Sequence, residues 1–228
     1  MSDFTKPIRV GQMHPATAGL IIEDVVATVL DITVAAWPRL CESQRVSPSD
    51  KEDDITDQLR WEMVSEKARR DPPPQVRFER ETQRDDPEKE YPTGLIDVYV
   101  IYSFDETDYF AIECKKVTDR HEQRANYYIR EGISRFTSGK YSPGHPYGAM
   151  IAFVTEGTAE AAADLLGQKI VDFDKHATKI RTAWGWQTEK RFGRFANLYS
   201  TMHGQAGTQN TILLLHLFLA FAAYHPRA

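Results

Sequence analysis

Two acids and a lysine sit where charges are expensive. Asp97 interrupts the apolar run LIDVYVIY, and Glu113 interrupts FAIEC, with Lys115 two residues on. Strand alternation puts Leu95, Asp97, Tyr99 and Ile101 on one face of a first strand. It puts Tyr109, Ala111, Glu113 and Lys115 on one face of a second, while Phe110, Ile112 and Cys114 point the other way. A charge inside such a strand is costly unless it is paired, hydrated or bound to a metal. Two carboxylates offer the oxygen ligands that a hard divalent cation takes, and such a cation polarises a phosphate and acidifies a bound water. Lys115 on the same face can orient that water and offset developing charge. The chemistry this trio suits is phosphodiester hydrolysis. The plain alternative is a cross-strand ion pair at a sheet end.

The elements that must position these residues follow from period and punctuation. An amphipathic helix is predicted over 16–41, ending near Pro38 to Ser43, and a second helix over 50–70. Ser49 or Asp50 can cap the second, and Glu52, Asp53 and Asp54 fall in its first turn, where the helix dipole favours acids. A strand at 75–82 precedes two strong strands at 94–104 and 109–117, which are joined by the turn Asp105–Asp108. A helix over 119–138, a strand at 148–154, a long helix over 157–184 and strands near 195–202 and 211–221 complete the chain. The order predicts a mixed α/β sandwich.

Asp97, then fifteen residues, then Glu113-Cys114-Lys115 resembles the PD-(D/E)XK nuclease superfamily. The element order of residues 50–154 resembles that family's core, and no proline directly precedes Asp97. The resemblance implies a restriction-endonuclease-like α-β-β-β-α-β core with a mixed central sheet. Around it would lie an extra N-terminal helix (1–45) and a C-terminal extension (157–228) of one helix and two strands, all in a single domain, 1–228. It implies a nuclease using Mg²⁺, or Mn²⁺ in its place, held by Asp97 and Glu113, with DNA as the expected substrate. It also implies a defence or restriction setting, in which such nucleases serve with a partner subunit or as a homodimer. Many members carry an acid on the helix before the sheet. With Ile55, Leu59 and Met63 as the buried stripe, Glu52 lies about 60° from Ile55 and is the choice. Glu62 and Glu66 also fall near the stripe. A catalytically inactive nuclease-like subunit, binding nucleic acid or a partner protein, is the competing reading.

On the helix after the E-x-K strand, Ile129, Ile133 and Phe136 form a core stripe. Arg124 and Arg135 on this helix, with Lys140 after it, are the expected phosphate contacts. A solvated helix face is the bland reading of the same charges. Tyr127 and Tyr128 can stack on bases or pack in the core. The segment YIREGISRFTSGKYS is similar to segments of nuclease-like proteins from bacterial defence loci.

The net charge is −5, so bulk attraction does not mark a nucleic-acid binder. The charge is uneven, however. Residues 50–90 hold 14 acids and 9 bases, while 115–140 hold 7 bases and 3 acids, and 175–194 hold 6 bases and 1 acid. Two cysteines, Cys41 and Cys114, are too few for a disulfide scaffold or a four-thiolate zinc site. His203 and His216 read as satisfied core or surface histidines, and no H-x-x-x-H spacing occurs. The start MSDFTKPIRV has no apolar signal region, and the run Ile212–Ala223 is too short to cross a bilayer. A cytoplasmic protein without a membrane partner is the expectation.

Overall fold

The computed structural model describes residues 15–72, 74–80, 96–102, 109–141, 144–176, 182–193, 195–206 and 210–221. Its architecture is mixed α/β. The helices are α1 (Pro15–Glu42), α2 (Glu52–Ala68), α3 (Glu122–Tyr127), α4 (Ser134–Thr137) and α5 (Ala159–His176). A π-helical turn, Tyr128–Ile133, joins α3 to α4. The strands are β1 (Arg77–Glu79), β2 (Val98–Ile101), β3 (Tyr109–Thr118), β4 (Tyr147–Glu156), β5 (Thr182–Thr188), β6 (Leu198–Gly204) and β7 (Thr211–Ala220).

The seven strands of the described residues form one sheet in the order β1-β2-β3-β4-β7-β6-β5. Strands β1, β2 and β3 pair antiparallel, and β3, β4 and β7 are parallel neighbours. Strands β6 and β5 return antiparallel on the far side. Central β4 and β7 are apolar on both faces (GAMIAFV and ILLLHLFL), as strands covered on both sides must be.

Helices α1 and α2 cover one face. In α1, Val26, Val29, Thr33, Ala36, Trp37 and Leu40 recur at helical spacing and are buried. Trp37 stacks on Phe153 of β4 at 5.6 Å and meets Phe221 edge-on at 4.8 Å, which fixes α1 over the sheet centre. In α2, Ile55, Leu59 and Met63 are fully buried, as the expected stripe requires. The helices from α3 to α5 cover the other face through Ile129, Ile133, Phe136, Ala163 and Leu166.

Three expectations need correction. The helix predicted over 157–184 ends at His176, and Thr182–Thr188 is strand β5, so three strands follow α5 instead of two. The segment TAWGWQT has threonines at its ends and alternating tryptophans, which favour a strand, and Gly185, which disfavours continuing the helix. Trp186 stacks on Tyr199 of β6 at 5.0 Å. Its ring presses on Gly167 of α5, where a Cβ would come within 2.8 Å of it. Secondly, neither Ser49 nor Asp50 caps α2. Lys51 is the N-cap residue, without a side-chain bond, and the Asp50 carboxylate instead accepts hydrogen bonds from the Ser47 backbone N–H and hydroxyl. Thirdly, β2 begins at Val98, so Asp97 stands just before the strand. Leu95, the predicted turn Asp105–Asp108 and residues 81–94 lie outside the described residues.

Among the described residues no helix is long and apolar enough to cross a membrane.

Candidate active site

The site is built where β2 stops and β3 continues. The last β2–β3 pair is Val98 with Ile112, and continuing that register by one residue sets Asp97 opposite Glu113. Beyond it, β3 keeps β4 on one side but has left β2 on the other. In a strand, alternate N–H groups point to opposite edges, so those of Cys114 and Lys116 need other acceptors. Two acids supply them. The Cys114 N–H donates to Asp97 Oδ2 at 2.7 Å, and the Lys116 N–H donates to Glu52 Oε2 at 2.8 Å.

Glu52 arrives from the first turn of α2. The approach is pinned by Lys116, whose ammonium donates to the carbonyls of Pro48 (2.8 Å) and Asp50 (2.6 Å) in the loop before that helix. Glu62 and Glu66 lie further along α2 and are absorbed elsewhere. Arg45 and Arg69 bind Glu62, while Arg39 and Arg69 bind Glu66. Burial works against the Glu62 charge, but hydrogen bonds from Arg69 and Arg45 outweigh it and keep its carboxyl below the usual range.

Lys115 stands at the centre. Its ammonium donates to Glu113 Oε1 at 2.6 Å, to Glu52 Oε1 at 2.9 Å and to the Cys114 carbonyl at 2.8 Å, which uses its three protons. Asp97 Oδ2 lies 4.0 Å away, a charge contact. The Lys115 side chain is only 4% exposed and that of Glu113 is 0% exposed, while Asp97 and Glu52 keep 13% and 25%. Thus the cluster meets the surface on its Asp97 and Glu52 side.

Arg135 of α4 turns inward. Its guanidinium lies 3.3 and 3.4 Å from the two Glu113 oxygens and also donates to the Tyr141 hydroxyl. Arg124 and Lys140, the other expected phosphate contacts, are exposed. Cys114 faces the opposite side of β3, fully buried, and burial pushes its thiol well above the usual value. Tyr128 is likewise buried, whereas Tyr127 is exposed. His216 is a satisfied core histidine. Tyr128 Oη lies 3.0 Å from its Nδ1, and Thr201 Oγ1 lies 2.8 Å from its Nε2.

The electrostatics follow from three acids facing two cations, Lys115 and Arg135, in a largely buried cluster. Burial, reinforced by the Asp97 charge, lifts the Glu113 carboxyl from the usual 4.5 to about 7, against the pull of Lys115 and Arg135. Burial also raises Asp97. Burial disfavours the Lys115 ammonium, but Glu113, Glu52 and Asp97 outweigh it and hold lysine charged well above its ordinary range. A carboxyl whose folded-state pKa is raised contributes stability that is complete below pH 4.5 and is lost as the pH rises through about 7. The melting temperature of the metal-free protein should therefore fall over that interval. Glu113→Gln should flatten the fall, and an unchanged pH profile in Glu113→Gln would show that Glu113 is not the titrating group.

The donor set is all carboxylate oxygen, which suits a hard divalent cation. Among the described residues, however, no cluster of three metal-ligating side chains is gathered, and the Lys115 ammonium binds both Glu113 and Glu52. Asp97 and Glu113 would hold a cation in exchange for part of the Lys115 and Arg135 hold on Glu113.

Sequence reasoning brought Asp97, Glu113, Lys115 and Glu52 together, and the structure places all four within one cluster. It missed Lys116 as the tie to α2 and Tyr141 as the partner of Arg135. The Lys116 contacts span more than sixty residues of sequence, and Tyr141, six residues after Arg135, stands beyond the end of α4, where helical spacing does not place it. Comparisons with protein-family models, with curated proteins and with solved structures find no match for this chain.

Proposed function

We propose that this protein is a metal-dependent nuclease of the PD-(D/E)XK type, hydrolysing phosphodiester bonds in nucleic acid, with DNA the expected substrate. The observation that carries the reading is the Lys115 ammonium hydrogen-bonded to Glu113 and Glu52 with Asp97 at 4.0 Å. A surface ion pair needs neither an acid from a separate helix nor the burial of Lys115 and Glu113. The order α2-β1-β2-β3-α3/α4-β4, with β3 and β4 parallel, supports a restriction-endonuclease-like core.

A Mg²⁺ or Mn²⁺ ion held by Asp97 and Glu113 would polarise the phosphate and acidify the attacking water. Lys115 places that water and offsets the charge that develops on the phosphoryl oxygens. Glu52 keeps the lysine aligned and pins the edge of β3, and Arg135 holds the Glu113 carboxylate from the far side. Arg124 and Lys140 neutralise phosphates flanking the pocket. The defence or restriction setting belongs to the same proposal.

The test is incubation of plasmid, single-stranded DNA and RNA with Mg²⁺, Mn²⁺ or chelator. Cleavage with metal and none in chelator is expected. In an Asp97→Asn background, the combined replacement of Arg124 and Lys140 by alanine should reduce the salt slope of binding by roughly 0.9 per contact on duplex, or roughly 0.7 on single strands. The second reading, an inactive nuclease-like subunit, is favoured by the complete burial of Glu113 and its pairing to Lys115 and Arg135. It takes the lead if no nucleic acid is cut with either metal.

A further inference from the structure

We propose that Tyr127 is a stacking platform for an unpaired nucleobase next to the phosphate that is cut, so that the site takes single-stranded or locally unpaired nucleic acid. The inference rests on the nuclease reading and adds the substrate class. Of the large apolar side chains exposed among the described residues, Trp61, Tyr127 and Val171, Tyr127 is the one at the acid cluster. Its side chain belongs to a residue 52% exposed, and its ring centroid lies 5.8 Å from the Lys115 ammonium.

The outward pose is built in by its neighbours. The next residue, Tyr128, is fully buried and bonded to His216, and Ile129 is buried beside it. Tyr128 opens the π-helical turn, a deviation that is frequent at functional sites. With Tyr128 committed inward, Tyr127 at the end of α3 is exposed beside Lys115. One turn earlier on the same side, Arg124 is exposed and close enough to depress Lys116, after burial, below the usual lysine value. An exposed aromatic flanked by an arginine, beside an acid cluster, is the pattern by which single strands are bound: charge follows the backbone and the ring takes a base. Bases in an intact duplex have their faces covered by stacking, so a ring at this position gains contact only where the strand is open.

The probes are a 12-nucleotide DNA single strand, the RNA of the same sequence and the DNA duplex, each read by fluorescence anisotropy on Asp97→Asn protein. Tyr127→Ala should weaken single-strand binding about 5- to 150-fold, the effect of losing one base stack, and leave duplex binding unchanged. Tyr127→Phe should retain parental affinity, since the ring is kept. The DNA and RNA arms decide which single strand is the source of the base. Equal single-strand affinities for the parent and Tyr127→Ala would overturn the stacking role and leave the nuclease reading intact. So would an equal loss on the duplex, or a parent that binds duplex alone. A parent that binds none of the three would overturn both readings together.

Discussion

Asp97→Asn is expected to leave the protein folded and to abolish phosphodiester cleavage. The two parts of this result separate two roles of one carboxylate. Its Oδ2 accepts the Cys114 N–H at 2.7 Å, and an asparagine oxygen can do the same. What asparagine removes is the charge opposite Lys115 and the anionic ligand for a cation. The loss of activity should exceed the roughly 10- to 100-fold typical of outer partners of a metal site, because Asp97 is a ligand itself in the proposed mechanism. Asp97→Ala should lose activity equally and also destabilise the fold by about 1–3 kcal/mol, the cost of a buried N–H left without an acceptor. Denaturant unfolding and a plasmid-cutting assay on the two variants make the comparison. Wild-type cutting by Asp97→Asn would reduce Asp97 to a cap for the sheet edge.

Lys115→Ala carries the second large effect, and on two scales. Turnover should fall about 100- to 1,000-fold, as it does when a single donor to transition-state charge is removed. Stability should also fall, by about 3–5 kcal/mol, because Glu113 at 0% exposure is left without its closest cation and Asp97 and Glu52 then repel it. A divalent cation can take over that neutralisation. Mn²⁺ should therefore raise the melting temperature of Lys115→Ala by more than it raises that of the parent protein. This readout is independent of activity. If Mn²⁺ stabilises neither protein, the cluster is an ion-pair lock, and the inactive-subunit reading replaces the nuclease.

How the site was legible depends on the residue. Asp97, Glu113 and Lys115 could be read because a strand has a period of two, so charges within an apolar run declare their face. Glu52 could be read from the angle it makes with Ile55, Leu59 and Met63 around α2, all three buried. Arg135 has the spacing of an outward phosphate contact but folds back onto Glu113 and Tyr141. The π-helical turn before it rewinds the helix and shifts the angular position of every later residue. The predicted helix over 157–184 overruns the first three residues of β5 because Ala159–His176 has strong helical spacing, and nothing local declares where it ends before TAWGWQT.

By itself, the sequence determined the mixed α/β class, most of the strands and helices, the buried stripes and which acids share a face with Lys115. Those are properties of local period and of the cost of placing charge among apolar neighbours, both written in consecutive residues. Only the tertiary structure decided that β2 begins one residue after Asp97, and that the two N–H groups left without it on β3 draw in the carboxylates of Asp97 and Glu52. It also decided that Lys115 stands among the acids, that Tyr128 is inside and Tyr127 outside, and that three strands instead of two close the sheet. The physical reason is that unpaired backbone groups and buried charges are satisfied by whichever partner the fold brings within about 3 Å, and several of those partners are far off in the chain: Glu52 lies 63 and 64 residues from the groups it binds, and His216 lies 88 from Tyr128.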